Sequence, residues 1–195
     1  MFLAEAEVTP EAKAMFEEDI AELGYVMNLS RLWAYQPATK DALFDVLRQA
    51  ISVERLSLRQ RAILVAACAS AFGDSYCSLK WGTKLSDAIG AQAAAAVLLG
   101  TDEGLSADEH AMAQWARQIA RDPNATTVAD VQALRDKGFT DAQIFTITVF
   151  VAMRLAFAAI NDALGVRPDA ALRSTVPGAI LDAVTVGRPI ATQAD

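Results

Sequence analysis

Apolar residues return every three or four positions along almost the whole chain, the period of an amphipathic helix. No stretch keeps the two-residue period of a strand. The first helical segment follows Thr9-Pro10-Glu11, where threonine can cap and proline suits the first helical position. Ala14, Phe16, Ile20 and Leu23 share its spacing, and Gly24 can end it. A second segment starts at Asn28 and runs toward Pro37, and a third covers residues 42–51 with Leu43, Phe44, Val46, Leu47 and Ala50. Ser57 with Gln60 forms a capping-box signature that opens a helix to Phe72. Beyond Arg61 this helix is apolar nearly all round, so it is expected at the centre of the fold.

After Gly73 the pattern predicts a helix to about Ser86 and another over residues 90–99. Ser106 with Glu109 repeats the capping-box signature ahead of Met112, Trp115, Ala116 and Ile119, a weak echo of the start at residues 56–60. Asp122-Pro123 ends that helix, and two more follow over residues 127–137 and 140–160. The expectation is an all-α multi-helical bundle, one domain over residues 1–195 with its core at 24–169. Past Arg167, Pro168, Gly178, Gly187 and Pro189 interrupt the pattern around a short apolar piece at 179–184. Residues 170–195 therefore read as a partly ordered tail, packed on the body or on a neighbouring subunit.

Composition narrows the partners. The formal charge of −7 and pI near 4.7 disfavour nucleic acid and anionic membranes, which select basic patches. Residues 1–10 carry Glu5 and Glu7 and no basic region, so no signal peptide is expected. The longest apolar run, residues 144–160, is interrupted by Thr146, Thr148 and Arg154, so no membrane partner is expected. A mean hydropathy of +0.24 implies unusually well buried helices, including burial between subunits. Two cysteines give no disulfide framework, which makes a reducing cytoplasm the expected location. One histidine and scattered acids predict neither a metal site nor a cofactor site.

Candidate chemistry concentrates in residues 73–82, where Asp74, Cys77 and Trp81 fall on one helical face. Asp74 as N-cap would place Cys77 at the third helical position, where the helix dipole favours a thiolate and the Asp74 charge opposes it. The bland alternative is a buried core thiol. Lys80 is expected to point to solvent. Cys68 lies nine residues earlier, about 13 Å away on one continuous helix, too far for a disulfide unless Gly73 breaks the geometry. His110 reads as a solvated surface histidine. Arg154 reads as the partner of a buried acid or an interface residue, with a substrate-carboxylate anchor as the sharper alternative.

Three stretches carry a family resemblance: Gly24-Tyr25-Val26-Met27-Asn28-Leu29 with Pro37; Leu56-Ser57-Leu58-Arg59-Gln60-Arg61 through Tyr76-Cys77; and residues 128–144 followed by Ala163-Leu164-Gly165-Val166. In these the chain resembles the carboxymuconolactone decarboxylase / AhpD-like superfamily, in its peroxidase-related branch. The resemblance implies an all-helical fold assembling as dimers, trimers or hexamers. It also implies alkylhydroperoxidase-like antioxidant chemistry; with Cys77 alone, an external thiol would resolve the product. Redox members of that family carry a glutamate, then twelve residues later a Cys-x-x-Cys, then a histidine four residues beyond. Here those positions hold Ala62, Asp74 with Cys77, and Trp81, so one of the four survives.

Three functional expectations follow. Cys77 serves as the nucleophile of a one-cysteine oxidoreductase; or the chain is an oligomeric binding or scaffold protein without catalysis; or it acts on a lactone or small acid with Asp74 as base and Arg154 as anchor.

Overall fold

A computed structural model describes residues 1–192; the last three residues of the expected tail lie outside the described residues. Among the described residues the chain forms eleven α-helices and no strand, as the periodicity predicts. Helix α1 (Pro10–Leu23) begins as expected, with Thr9 Oγ1 accepting from the Ala12 N–H and Gly24 closing it in the left-handed region. Next come α2 (Asn28–Trp33) and α3 (Pro37–Glu54). Helix α3 exceeds the expected 42–51 at both ends, because Pro37 takes the first helical turn and the helix continues until Arg55 turns left-handed.

Helix α4 (Leu58–Phe72) starts with both halves of the Ser57/Gln60 capping box formed. Its residues 62–69 are all buried, and it packs against α5 (Ser75–Ile89), α6 (Ala91–Leu99), α7 (Ala107–Arg121) and α9 (Asp141–Ala163). The central placement read from its all-round apolarity holds. Helix α8 (Val128–Arg135) is shorter than the expected segment, since the chain turns at Lys137-Gly138.

The two capping-box starts meet in space. Arg59, in the first turn of α4, forks onto Glu109, in the first turn of α7, at 2.5 and 2.8 Å. Glu109 also accepts from the Ser106 N–H, while the Ser106 hydroxyl turns to Asp108. The Arg59 hydrogen bonds hold the Glu109 carboxyl down at about 2. Further along α7, Arg117 grips Asp102 through both terminal nitrogens, at 2.8 and 2.5 Å, and donates to the Val97 carbonyl.

The tail is more ordered than the Pro/Gly pattern predicts. It contains α10 (Leu172–Thr175) and α11 (Gly178–Ala183), and α11 packs on α6 and α5. Ile180 is fully buried over Gly82, where an added Cβ would approach Ile180 Cγ2 to 2.9 Å and Leu98 Cδ1 to 3.0 Å. A side chain at position 82 would force those two neighbours to shift where the three helices cross. Beyond α11, Gly187 lies directly on the Gly73–Ser75 backbone, and Ser75 Oγ donates to the Arg188 carbonyl at 2.6 Å.

Helix α9, at 23 residues and with a mean hydropathy of 1.9 in its most apolar window, is long and apolar enough to cross a membrane by length and composition. Helices α3, α4 and α7 nevertheless pack along it, as around the core helix of a globular bundle.

Candidate functional site

The site forms where α4 hands over to α5. Gly73, with φ 91°, ends α4, and the N–H groups of Gly73 and Asp74 both return to the Ala69 carbonyl. That turn makes Asp74 the N-cap of α5. Its Oδ1 accepts from the Cys77 N–H at 3.0 Å, so Cys77 is the third helical residue, as the spacing predicts. Asp74 is 1% exposed, and its second oxygen, Oδ2, has no partner.

Cys77 is 5% exposed. Its Sγ accepts a hydrogen bond from Arg154 Nη2 at 3.5 Å. Arg154 comes from the middle of α9, and its guanidinium lies 5.1 Å from the Trp81 ring and 5.5 Å from the Phe157 ring. Phe157 in turn stacks flat on Trp33 at 5.4 Å, and Trp33 Nε1 donates to Asn161 Oδ1 at 2.9 Å. A stack of aromatic rings thus fixes the arginine against the sulfur. Among the described residues no carboxylate comes within 4.0 Å of Arg154, so the buried acid expected as its partner is not there.

The competition over the thiol now has a sign. Burial pushes the Cys77 thiol well above the usual cysteine range, and the Asp74 carboxylate pushes the same way. Arg154 pulls it back down without prevailing. Resting Cys77 is therefore a neutral thiol that has a cation against the sulfur and a carboxylate on the same helical turn.

The other sequence candidates separate from this centre or play lesser parts. Cys68 is a free, buried thiol donating to the Val65 carbonyl at 3.5 Å, with burial pushing it up to about 12. The two cysteines are not bridged. Ala62 is fully buried in α4 and offers no acid or base. Trp81 is half-buried and packs on the core, with Lys84 Nζ 4.8 Å from its ring. Lys80 is half-buried. His110 is exposed on α7, 3.6 Å from Asp102. Among the described residues no group of three or more His, Cys, Asp or Glu is placed to hold a metal.

Sequence reasoning passed over Asp169. The Tyr76 hydroxyl donates to Asp169 Oδ2, and Asp169 Oδ1 accepts from the Asn28 N–H at 2.7 Å. Burial raises the Asp169 carboxyl, against the pull of the hydrogen bonds from Asn28 and Tyr76. This buried carboxylate ties the first turn of α5 to the start of α2. Only its position just beyond Pro168, where helical pattern gives way to breaks, hinted that it had a separate job.

The turn, the capped cysteine and the surrounding helices define an all-helical protein with one thiol at a helix N-terminus. Its fold is AhpD-like. The chain superposes on the alkylhydroperoxidase AhpD core of an uncharacterized peroxidase-related protein from Ralstonia eutropha JMP134, with a TM-score of 0.74 at 21% identity. That match covers 88% of this chain and 93% of the other. An uncharacterized peroxidase-related protein from Silicibacter sp. TM1040 gives 0.77 at 21% identity, covering 89% and 93%. A cysteine-to-alanine variant of the debrominase Bmp8, in complex with 2,3,4-tribromopyrrole, gives 0.72 at 15% identity, covering 94% and 97%. No family model and no curated protein matches the sequence.

Proposed function

We propose that the protein is a single-cysteine thiol oxidoreductase in which Cys77 reduces a small organic hydroperoxide. The observation that carries this reading is the hydrogen bond from Arg154 Nη2 to Cys77 Sγ, with Asp74 on the same helical turn. Asp74 Oδ2 and Arg154 Nε are both buried without partners, one an acceptor and one a donor. A hydroperoxide can both donate and accept, so it suits such a pair. In the reaction the sulfur attacks the distal oxygen of ROOH while Asp74 takes the thiol proton. The O–O bond breaks, the proton passes to the leaving alkoxide, and ROH departs from Cys77–SOH. An external thiol condenses with the sulfenic acid, releasing water and forming a mixed disulfide. A second external thiol then frees Cys77–SH and leaves as the disulfide.

Thiol-dependent consumption of cumene hydroperoxide tests the proposal. Wild type and Cys68→Ser are expected to turn over equally, and Cys77→Ser to fall to background. A wild type at background sinks the reading.

The burial of Cys77 favours a second reading, a binding protein without redox chemistry. Under it, iodoacetamide would label Cys77 in the native protein no faster than Cys68. Under the oxidoreductase reading Cys77 labels first.

Self-association is part of the proposal. Phe145, Ala156 and Ile160 stand exposed along α9 at helical spacing, an apolar stripe suited to a second copy. Light scattering is expected to give a multiple of 20.8 kDa, lowered by Phe145→Lys; a wild-type monomer would remove this part.

A further inference from the structure

We infer that the molecule brought to Cys77 is a small organic anion, its carboxylate held between the Arg154 guanidinium and the Lys84 ammonium beside the Trp81 ring. The inference rests on the reading of Cys77 as the reactive thiol and adds the class of substrate.

Arg154 is 6% exposed, yet no carboxylate among the described residues lies within 4.0 Å and its Nε–H has no partner. A buried cation without a counter-charge is costly, and proteins ordinarily pair it. Among the described residues the hydrogen-bond acceptor for Arg154 is a neutral thiol at 3.5 Å, and the aromatic faces of Trp81 and Phe157 supply weaker support.

A second cation stands on the same indole: Lys84 Nζ is 4.8 Å from the Trp81 ring, and Arg154 is 5.1 Å from it. One ring attracts each cation but does not cancel the repulsion between them. The Lys84 amine is held below the usual lysine range first by burial and then by Lys80, with Arg154 and Arg61 adding to it; Glu22 alone opposes. The chain as a whole has 17 basic and 24 acidic residues, so this local excess of cations runs against the composition.

An anion between Arg154 and Lys84 removes the conflict. A carboxylate suits the free Nε–H of a guanidinium fork, and an apolar or flat body suits the Trp81 and Phe157 faces. The other end of such a molecule then lies toward Cys77 and the free Asp74 oxygen.

Tryptophan fluorescence titrations with benzoate and with its neutral analogue benzamide test this on the full chain. Benzoate is expected to bind at least ten-fold more tightly than benzamide. Lys84→Met is expected to weaken benzoate five-fold or more and leave benzamide unchanged. Equal affinities for the two probes, no saturation by benzoate, or a Lys84→Met variant that binds benzoate like wild type would overturn the anion site. Hydroperoxide turnover, measured separately on the wild type, distinguishes the two proposals. A wild type inactive toward hydroperoxide that still selects benzoate therefore removes the oxidoreductase reading and upholds the anion site.

Discussion

Arg117 and Arg154 are buried to nearly the same degree, 3% and 6% exposed, on helices that pack against each other. Both leave Nε without a partner. Their remaining contacts differ. Arg117 meets a carboxylate with both terminal nitrogens and a carbonyl with one of them. Asp102 adopts a left-handed backbone, φ 57°, at the point where it receives those bonds. Arg154 meets a sulfur and two aromatic rings, and the buried Asp74 oxygen nearby also goes without a partner. The first arrangement is closed and holds the chain together. The second leaves charge and hydrogen-bonding capacity unspent beside a thiol, which is what a binding or reaction centre requires.

The largest expected effect tests this contrast directly. Arg117→Met strands the buried Asp102 and is expected to cost ~3–5 kcal/mol of stability in urea denaturation. Arg154→Met removes a cation that has no carboxylate to strand, and its cost should stay within about 1 kcal/mol. Equal losses for the two variants would break the comparison.

A smaller effect concerns reactivity. Asp74→Asn keeps a capping side chain but removes the charge that raises the Cys77 thiol, so the thiol pKa should fall. A fall of one unit would quicken iodoacetamide labelling of Cys77 at pH 8 about ten-fold. Arg154→Met should slow the same labelling, because the guanidinium pulls against the burial and the Asp74 charge that raise the thiol. If both variants shift the rate in one direction, the two groups do not act on the sulfur as assigned.

The smallest effect lies at the closed end of the molecule. The folded Glu109 carboxyl sits near 2, below its ordinary 4.5, so its share of stability is complete above about pH 4.5. That share drains away as the pH falls toward 2. Melting temperature measured across this window should drop more steeply for wild type than for Glu109→Gln; parallel curves would show that Arg59 contributes nothing through this pair.

Much of the fold could be read in advance, because helix starts are local chemistry. Thr9-Pro10, Ser57…Gln60 and Thr140…Gln143 each form the cap their spacing announces. Residues 62–69 are buried for the reason their all-round apolarity predicts. The tail packs on the body, one of the two placements expected for it, but its short helices were not legible because Pro and Gly mark breaks in helical period. They say nothing about whether a short helix such as α11 finds a groove on α5 and α6.

At the site, Asp74 and Cys77 could be placed from spacing alone, since a cap and its third residue are three positions apart. Arg154 and Asp169 could not, because their partners are 77 and 93 residues away in sequence. Whether Arg154 had an acid was likewise a question only tertiary structure answers.

The cap at Asp74 limits which side chains position 74 can carry. A cysteine there would set two thiols three positions apart, but it would also take away the acceptor that starts α5 and seats the Cys77 N–H. Losing a good cap costs about 1 kcal/mol, so a dithiol would weaken the start of the helix that carries it. Position 74 can therefore start α5 or supply a second thiol, but one side chain does not do both.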